Sequence, residues 1–356
     1  MEYCTNWEHI QKRFEEFWAL ENHDRPLLQI QVLKDNPEKI PVPLHTTQRE
    51  RWMDTEYILK KANWTMRNTL YLGEAFPVLN PNLGPDYFAT GYGIDLEFGE
   101  RTSWAKHILA DEEVENHQGF VLNTENIYYK KMEEITKAAV EDGKDKYIVG
   151  ITDLHPGADA LVALRGPQEL CFDVYDNPEF IKQGVMELLP GFCREYERLY
   201  QMTTKYQKGS TNWMRLWHPG KWYVPSSDFS CMISSDQYEE LLVEEIEKEV
   251  DYLDASIYHL DGPDALRHLD RILQIPKLDG VQWVYGAGQR TASHWMDVIK
   301  KIQNAHKCLV LDVKAHELKV MLENVAPEGV FYSVSGVRDE THARELMKMA
   351  EHYKRR

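Results

Sequence analysis

The chain has 356 residues, 43% hydrophobic and 28% charged, a globular composition that excludes a disordered polypeptide. Its 41 Lys+Arg against 58 Asp+Glu leave a net charge of −17. That balance argues against a nucleic-acid partner, which needs a clustered basic surface, and against a polyanionic substrate unless a local basic pocket overrides the average. The cysteines Cys4, Cys171, Cys193, Cys231 and Cys308 are widely spaced with no CxxC pair. They suit a reducing compartment and offer no thiolate cage for zinc. The N-terminal MEYCTNWEHIQKRFEEFW is charged and amphipathic, unlike a signal peptide, and no apolar run approaches membrane-spanning length. The expectation is a cytoplasmic chain with no membrane partner.

In chain order, an N-terminal helical extension (1–24) comes first. Short apolar, β-branched runs follow at RPLLQIQV (26–33), EAFPVLNP (74–81), KYIVGITDL (146–154), around WYVPSSD (222–228), ASIYHLDG (255–262), LDGVQWVYG (278–286), KCLVLDVKA (307–315) and GVFYSVSG (329–336). Between them, helical period runs over 125–143, 177–207, 235–252, 291–304, 316–325 and 339–353, with start signals at Ser235-Asp236 and Asp339. The segment 82–124, rich in glycines and aromatics, reads as a long loop over a binding mouth. Eight runs alternating with helices predict an α/β chain, a (β/α)8 TIM barrel forming one domain over 1–356. No dinucleotide fingerprint competes, because GAG at Gly286–Gly288 lacks the third glycine and the downstream acid. A homodimer is compatible with a barrel of this size.

A barrel carries its chemistry where strands end. His259 and Asp261 stand two apart in the fifth run, so they share a face, and Gly262-Pro263 ends the strand beside them. An imidazole and a carboxylate so placed bind a divalent metal, or act as a base with its orienting partner, or merely fix a loop. Asp153, His155 and Asp159 form a second cluster after the third run, in which Asp159 fits an ordinary helix N-cap. Asp228 lies near the end of the fourth run, Asp312 at the seventh, and Ser333 and Ser335 at the eighth. The stretch 212–229 carries three of the ten tryptophans. Trp217, His218, Trp222 and Tyr223 there, with Trp283 and Tyr285 at the sixth run, offer flat faces for a small-molecule substrate or a packed core. Met321, Met347 and Met349 read as packing against the sheet, and the acidic LLVEEIEKEVDYLD as a solvated helix face.

HLDG at the fifth run resembles the HxCG motif of the uroporphyrinogen decarboxylase superfamily. ITDLHPGADALVALRGPQELCFDVYDNPE (151–179), with Arg165-Gly166 and Asp173, is similar to that superfamily's segment after its third strand. SSDFSCMISSDQYEELL (226–242) resembles its Asp-containing loop, and VSGVRDETHARELM (334–347) its C-terminal end. The resemblance runs from about Arg25 onward and implies a (β/α)8 barrel. It lies nearer the methyltransferase branch, whose members move a methyl group between a corrinoid protein and a thiol, with zinc lowering the thiol pKa. Their His-Cys-Cys ligand set corresponds here to His259, Asp261 and Ser335, a harder donor set that favours zinc less and another divalent ion more. The decarboxylases grip a porphyrinogen's carboxylates with N-terminal arginines. Here the matching strand has Arg25 alone, so true uroporphyrinogen decarboxylase is not expected.

Three functions compete. The first is a methyltransferase working with a corrinoid protein, in which His259 and Asp261 bind a metal or polarise the heteroatom that carries the methyl. The second is a metal-dependent or acid/base lyase or hydrolase of a sugar-like or aromatic molecule, using His259, Asp261, Asp228, His155 and Asp153. The third is a small-molecule-binding barrel with no chemistry.

Overall fold

The computed structural model describes residues 1–39 and 45–352. Its strands are β1 (Leu27–Leu33), β2 (Thr69–Gly73), β3 (Val78–Leu79), β4 (Asp95–Phe98), β5 (Ser103–Lys106), β6 (Ile148–Val149), β7 (Trp222–Tyr223), β8 (Ala255–Asp261), β9 (Gly280–Val284), β10 (Cys308–Lys314) and β11 (Val330–Ser335). The central sheet has the order β2-β1-β11-β10-β9-β8-β7. All its pairings are parallel except β1 with β2, which closes an edge antiparallel. β3 pairs in parallel with β6 as a separate ladder. Helices connect the parallel strands, as parallel pairing requires. The result is a mixed α/β molecule with a mostly parallel sheet.

The two faces of this sheet have different chemistry because side chains alternate. One face carries Leu28, Ile30, Tyr258, Leu260, Val281, Trp283, Leu309, Leu311, Val313, Tyr332 and Val334, all buried in the main core with the surrounding helices. The other face changes character along the strands. At their N-terminal ends it is apolar: Leu27, Ile257, Val310 and Phe331 pack on Phe14 and Phe17 of the N-terminal helix Trp7–Trp18. Toward the C-terminal ends the same face bears Gln29, Gln31, His259, Asp261, Gln282, Asp312, Ser333 and Ser335. The helix therefore seals the apolar end, and the polar end stays available for ligands. Asn22, fully buried just after the helix, donates to Pro327 O (2.6 Å) and accepts from Gly329 N (2.7 Å). It ties the start of the chain to the entry of β11.

Each of the eight expected runs contains a strand, but the early ones are short, with two residues each in β3, β6 and β7. The region 82–124 is not a plain loop: it holds a 3-10 helix, Pro85–Tyr92, the β4–β5 hairpin and the helix Asp111–Glu115. The helix expected over 235–252 breaks at Leu242, and its N-cap is Ser234, in a capping box with Gln237, rather than Ser235. Asp339 does accept from His342 N at the start of the last helix. Met321 and Met347 are buried, whereas Met349 faces out.

The acidic helix Val243–Tyr252 corrects the reading of a solvated face. Glu245 and Glu249 lie on its inner side with Val243, Ile246 and Val250, and both are buried. Arg25, just ahead of β1, is spent inside the fold. It forks onto the buried Glu74 carboxylate at 2.7 and 3.0 Å. Arg165 is likewise consumed by buried Asp173 (2.8 Å) and by Asp111 (2.6 Å).

Candidate functional site

His259 and Asp261 stand on the polar end of β8, and Gly262 follows at φ +80°, a left-handed turn that suits glycine. The chain turns away at once, leaving both side chains at the rim. Asp228 comes from the neighbouring loop, where Ser226 bridges to His259. Donor atoms of Asp228, His259 and Asp261 lie within 4.8 Å of one another. The i,i+2 spacing selects His259 and Asp261 alone; Asp228 joins them here, whereas the resemblance puts Ser335 in the third place.

The tautomer of His259 follows from its neighbour in register. Gln282 sits opposite it on β9 and its Oε1 accepts from Nδ1 at 2.6 Å. In the neutral ring the lone pair is then on Nε2, which faces Asp228 Oδ1 at 3.8 Å, too long for a hydrogen bond. Trp213 stands edge-on to the ring at 5.5 Å and limits its swing. The Asp228 carboxyl is pushed above its ordinary range, first by desolvation and then by Asp159 and Asp261, against the pull of His259. Its side chain keeps 55% of its exposure, so solvent moderates the desolvation and leaves the neighbouring negative charge a substantial part of the effect.

Beside this group opens a cavity of about 550 Å³ lined by Asp261, Tyr285, Asp312, Lys314 and Ser335. Ser335 Oγ is buried there without a hydrogen-bond partner among the described residues. Tyr285 and Ser335 thus lie where a ligand at Asp261 would meet them. A set of one imidazole nitrogen and two carboxylates fits a divalent ion of intermediate hardness better than a thiophilic one.

The second cluster is built differently. His155 Nε2 lies 2.9 Å from Asp153 Oδ1, misaligned for a hydrogen bond, and Nδ1 lies 3.6 Å from Asp159 Oδ2. Burial pushes its imidazolium down, but the two aspartates more than reverse this and hold it protonated. Asp159 is inside the helix Gly157–Arg165, so it is not that helix's N-cap. It accepts instead from the backbone of Asp228 and Phe229, both at 3.1 Å, and from Ser226 Oγ at 3.3 Å. In this way it caps the turn that carries Asp228. Beneath lie Glu245 and Glu249, each with a carboxylate oxygen lacking a partner among the described residues. Desolvation raises both carboxyls, Glu249 to about 8, and each has Asp159 as a further raising influence.

The aromatic candidates mostly belong to the core. Trp217, Trp222 and Tyr223 are fully buried. Trp217 Nε1 donates to Lys208 O, and Trp222 Nε1 to Ser210 O. The Tyr223 hydroxyl donates to Thr152 O and accepts from Leu154 N. His218 stacks edge-on against Trp18 of the N-terminal helix and accepts from Gly220 N, with burial lowering its pKa. Trp217 and Trp222 pack at the apolar end, in the cluster that holds the N-terminal helix. Tyr223 and Trp283 point to the helix-covered face, Trp283 against Trp295 (5.2 Å). For these five residues, aromatic count tells neither which end of a strand nor which face a ring occupies. Gln282 and the buried glutamates escaped sequence reading, although strand alternation would have put Gln282 on the same face as His259.

No protein-family model matches the chain, and no curated protein matches it in sequence. Among solved structures it is similar to a methyltransferase from Methanosarcina mazei, with TM-score 0.63 and 11% identity over 96% of this chain and 98% of that one. At that identity the likeness is one of fold, and it is consistent with a TIM barrel. A beta-mannanase from a symbiotic protist of the termite Reticulitermes speratus aligns at TM-score 0.36 and 8% identity, over 97% of this chain and 92% of that one. Among the described residues no helix is long and apolar enough to cross a membrane.

Proposed function

We propose that this chain is a (β/α)8 enzyme of methyl transfer, moving a methyl group between a small methylated substrate or thiol and a corrinoid protein. The observation that carries the reading is the convergence of Asp228, His259 and Asp261 at the polar end of the parallel sheet. The full-length likeness to a methyltransferase supports the fold on which it rests. A closed barrel requires the β3–β6 ladder to join the main sheet, and Ile151 N, which donates to Thr211 O in the segment ahead of β7, supports that join on one side.

The three donors fit a divalent ion, zinc or a harder one, with Ser335 at the same cavity. Such an ion supplies Lewis acidity that lowers the pKa of a thiol or hydroxyl. The chain's own residues do the rest. Gln282 fixes the His259 ring and directs Nε2 outward. Asp159 holds the Asp228 turn in place through two backbone N–H groups. Asp261 and Tyr285 border the cavity that would receive the substrate.

The test is metal analysis of the purified protein, followed by methyl loss from methylcobalamin to a thiol, read from the corrinoid spectrum. We expect about one divalent ion per chain in the wild type, none in Asp261→Ala, and thiol methylation that follows the metal. Metal-free protein with no methyl loss overturns the reading. An acid–base lyase or hydrolase is the second reading, favoured by the raised Asp228 carboxyl beside His259 Nε2. It expects turnover of a sugar-like or aromatic substrate without metal, abolished in His259→Ala.

A further inference from the structure

Across the mouth from His259 lies a cavity of about 470 Å³, lined by Gln31 of β1, Tyr71 of β2 and Arg215. A chain of net charge −17 puts four cations on this wall, Arg51, Lys61, Arg101 and Arg215, against the single acid Glu100. Lys61, Arg101 and Arg215 have no carboxylate partner among the described residues. Arg215 contrasts with Arg25 and Arg165, whose forks are filled by buried carboxylates. Its one side-chain bond is to the neutral Gln31 Oε1 (2.7 Å). Gln31 Nε2 is buried with no acceptor among the described residues.

The backbone is arranged to present this guanidinium. Arg215 sits at φ +58°, a left-handed conformation that non-glycine residues rarely adopt. A tight turn holds it there: Arg215 N donates to Asn212 O (2.9 Å), and Met214 N to Asn212 Oδ1 (2.9 Å). Tyr71, half-buried beside it, is kept as a neutral phenol, its pKa pushed up to about 12 by desolvation. A charged fork, an orphan amide donor and a neutral hydroxyl on one wall are what a planar or tetrahedral oxyanion needs. The same lining includes the apolar Trp52, Ile58, Met66, Phe76, Val78 and Leu79.

We propose that this cavity binds a small organic anion, its carboxylate, phosphonate or sulfonate head on Arg215 and Gln31 and its apolar body against Trp52 and Phe76. An uncompensated guanidinium in a half-enclosed pocket is costly without a counter-charge. The anion supplies that charge. The local cluster is thus the exception to the chain-wide acidity.

The probes are benzoate, phenylphosphonate and benzenesulfonate, with benzyl alcohol as the neutral counterpart, titrated by calorimetry and by tryptophan fluorescence. We expect at least one anion to bind at least tenfold more tightly than the alcohol, and the tightest head group to name the class. Arg215→Met should weaken it at least tenfold, with Arg215→Lys in between because the fork is lost. Asp261→Ala should bind like the wild type, so that failure of the methyl-transfer reading leaves this result standing. If Arg215→Met does not fold, the exposed Lys61→Met/Arg101→Met pair replaces it, with an expected loss of at least threefold and a weaker salt dependence. No anion binding below about 10 mM, an alcohol that binds as well as the anions, or unchanged affinity in the folded variants overturns the proposal.

Discussion

The two histidine–carboxylate clusters of this molecule have similar parts and opposite states. His155 is enclosed between Asp153 and Asp159, and its buried surroundings include Glu245 and Glu249. Held as an imidazolium by these carboxylates, it has no ring lone pair to offer a ligand. His259 has one nitrogen fixed by Gln282 and the other facing two carboxylates across 4.8 Å or less, at an accessible rim. The difference teaches that residue type selects candidates, whereas the remaining free lone pairs decide which candidate can take a ligand.

The contrast breaks most sharply at the shared element, Asp159. Asp159→Ala should cost about 3–5 kcal/mol, because it leaves His155 charged among fewer partners and uncaps the turn of Asp228. Asp261→Ala at the open cluster should leave the denaturation midpoint nearly unchanged. Equal losses in the two variants would erase the distinction between a structural and a binding cluster.

The next effect is one of pH. Glu249 has a folded pKa of about 8, above its ordinary 4.5. Below pH 4.5 both folded and unfolded chains hold this proton, and nothing is lost. Between 4.5 and 8 the folded chain keeps a proton the unfolded chain has released, so stability falls as pH rises. Glu249→Gln removes that fall and should stabilise the protein by roughly 1–3 kcal/mol at pH 7.5, and by much less at pH 5. Urea denaturation at both values checks it, and a variant no more stable than wild type at pH 7.5 would place Glu249 in a paired, ionised state.

Smaller changes sharpen the open cluster. Gln282→Leu frees the His259 ring and should weaken metal uptake by roughly 10–100-fold with the fold retained, as competition with a chelator would show. Ser335→Ala removes a buried hydroxyl that has no partner among the described residues. It should change stability by less than about 1 kcal/mol. A larger loss would mean that the hydroxyl is engaged in the unliganded protein.

The sequence made the open cluster legible through local rules. Alternation put His259 and Asp261 on one face, and Gly262 put them at a rim. The late strands β8 to β11 were legible for the same reason, being long enough to show their pattern. β3, β6 and β7 are too short for alternation to fix their direction, so the tryptophans at 217 and 222 were assigned to a mouth when they pack at the other end. Glu245 and Glu249 stand at i,i+4, a spacing shared by solvated helix faces and buried ones. Only the packed neighbours distinguish them. Arg215 carries no periodic signal, since its position comes from a turn at left-handed φ.

The Asn22 clamp has a consequence in time. Its partners, Pro327 and Gly329, lie 305 and 307 residues further along the chain. On a ribosome the first helix therefore emerges long before the strand entry that anchors it. Phe76 can cover part of Phe14 early, but the side of Phe14 and Phe17 that meets Phe331 stays unburied until β11 has been made. Contacts of such sequence separation form late. Docking of the N-terminal helix is therefore complete only once β11 is in place.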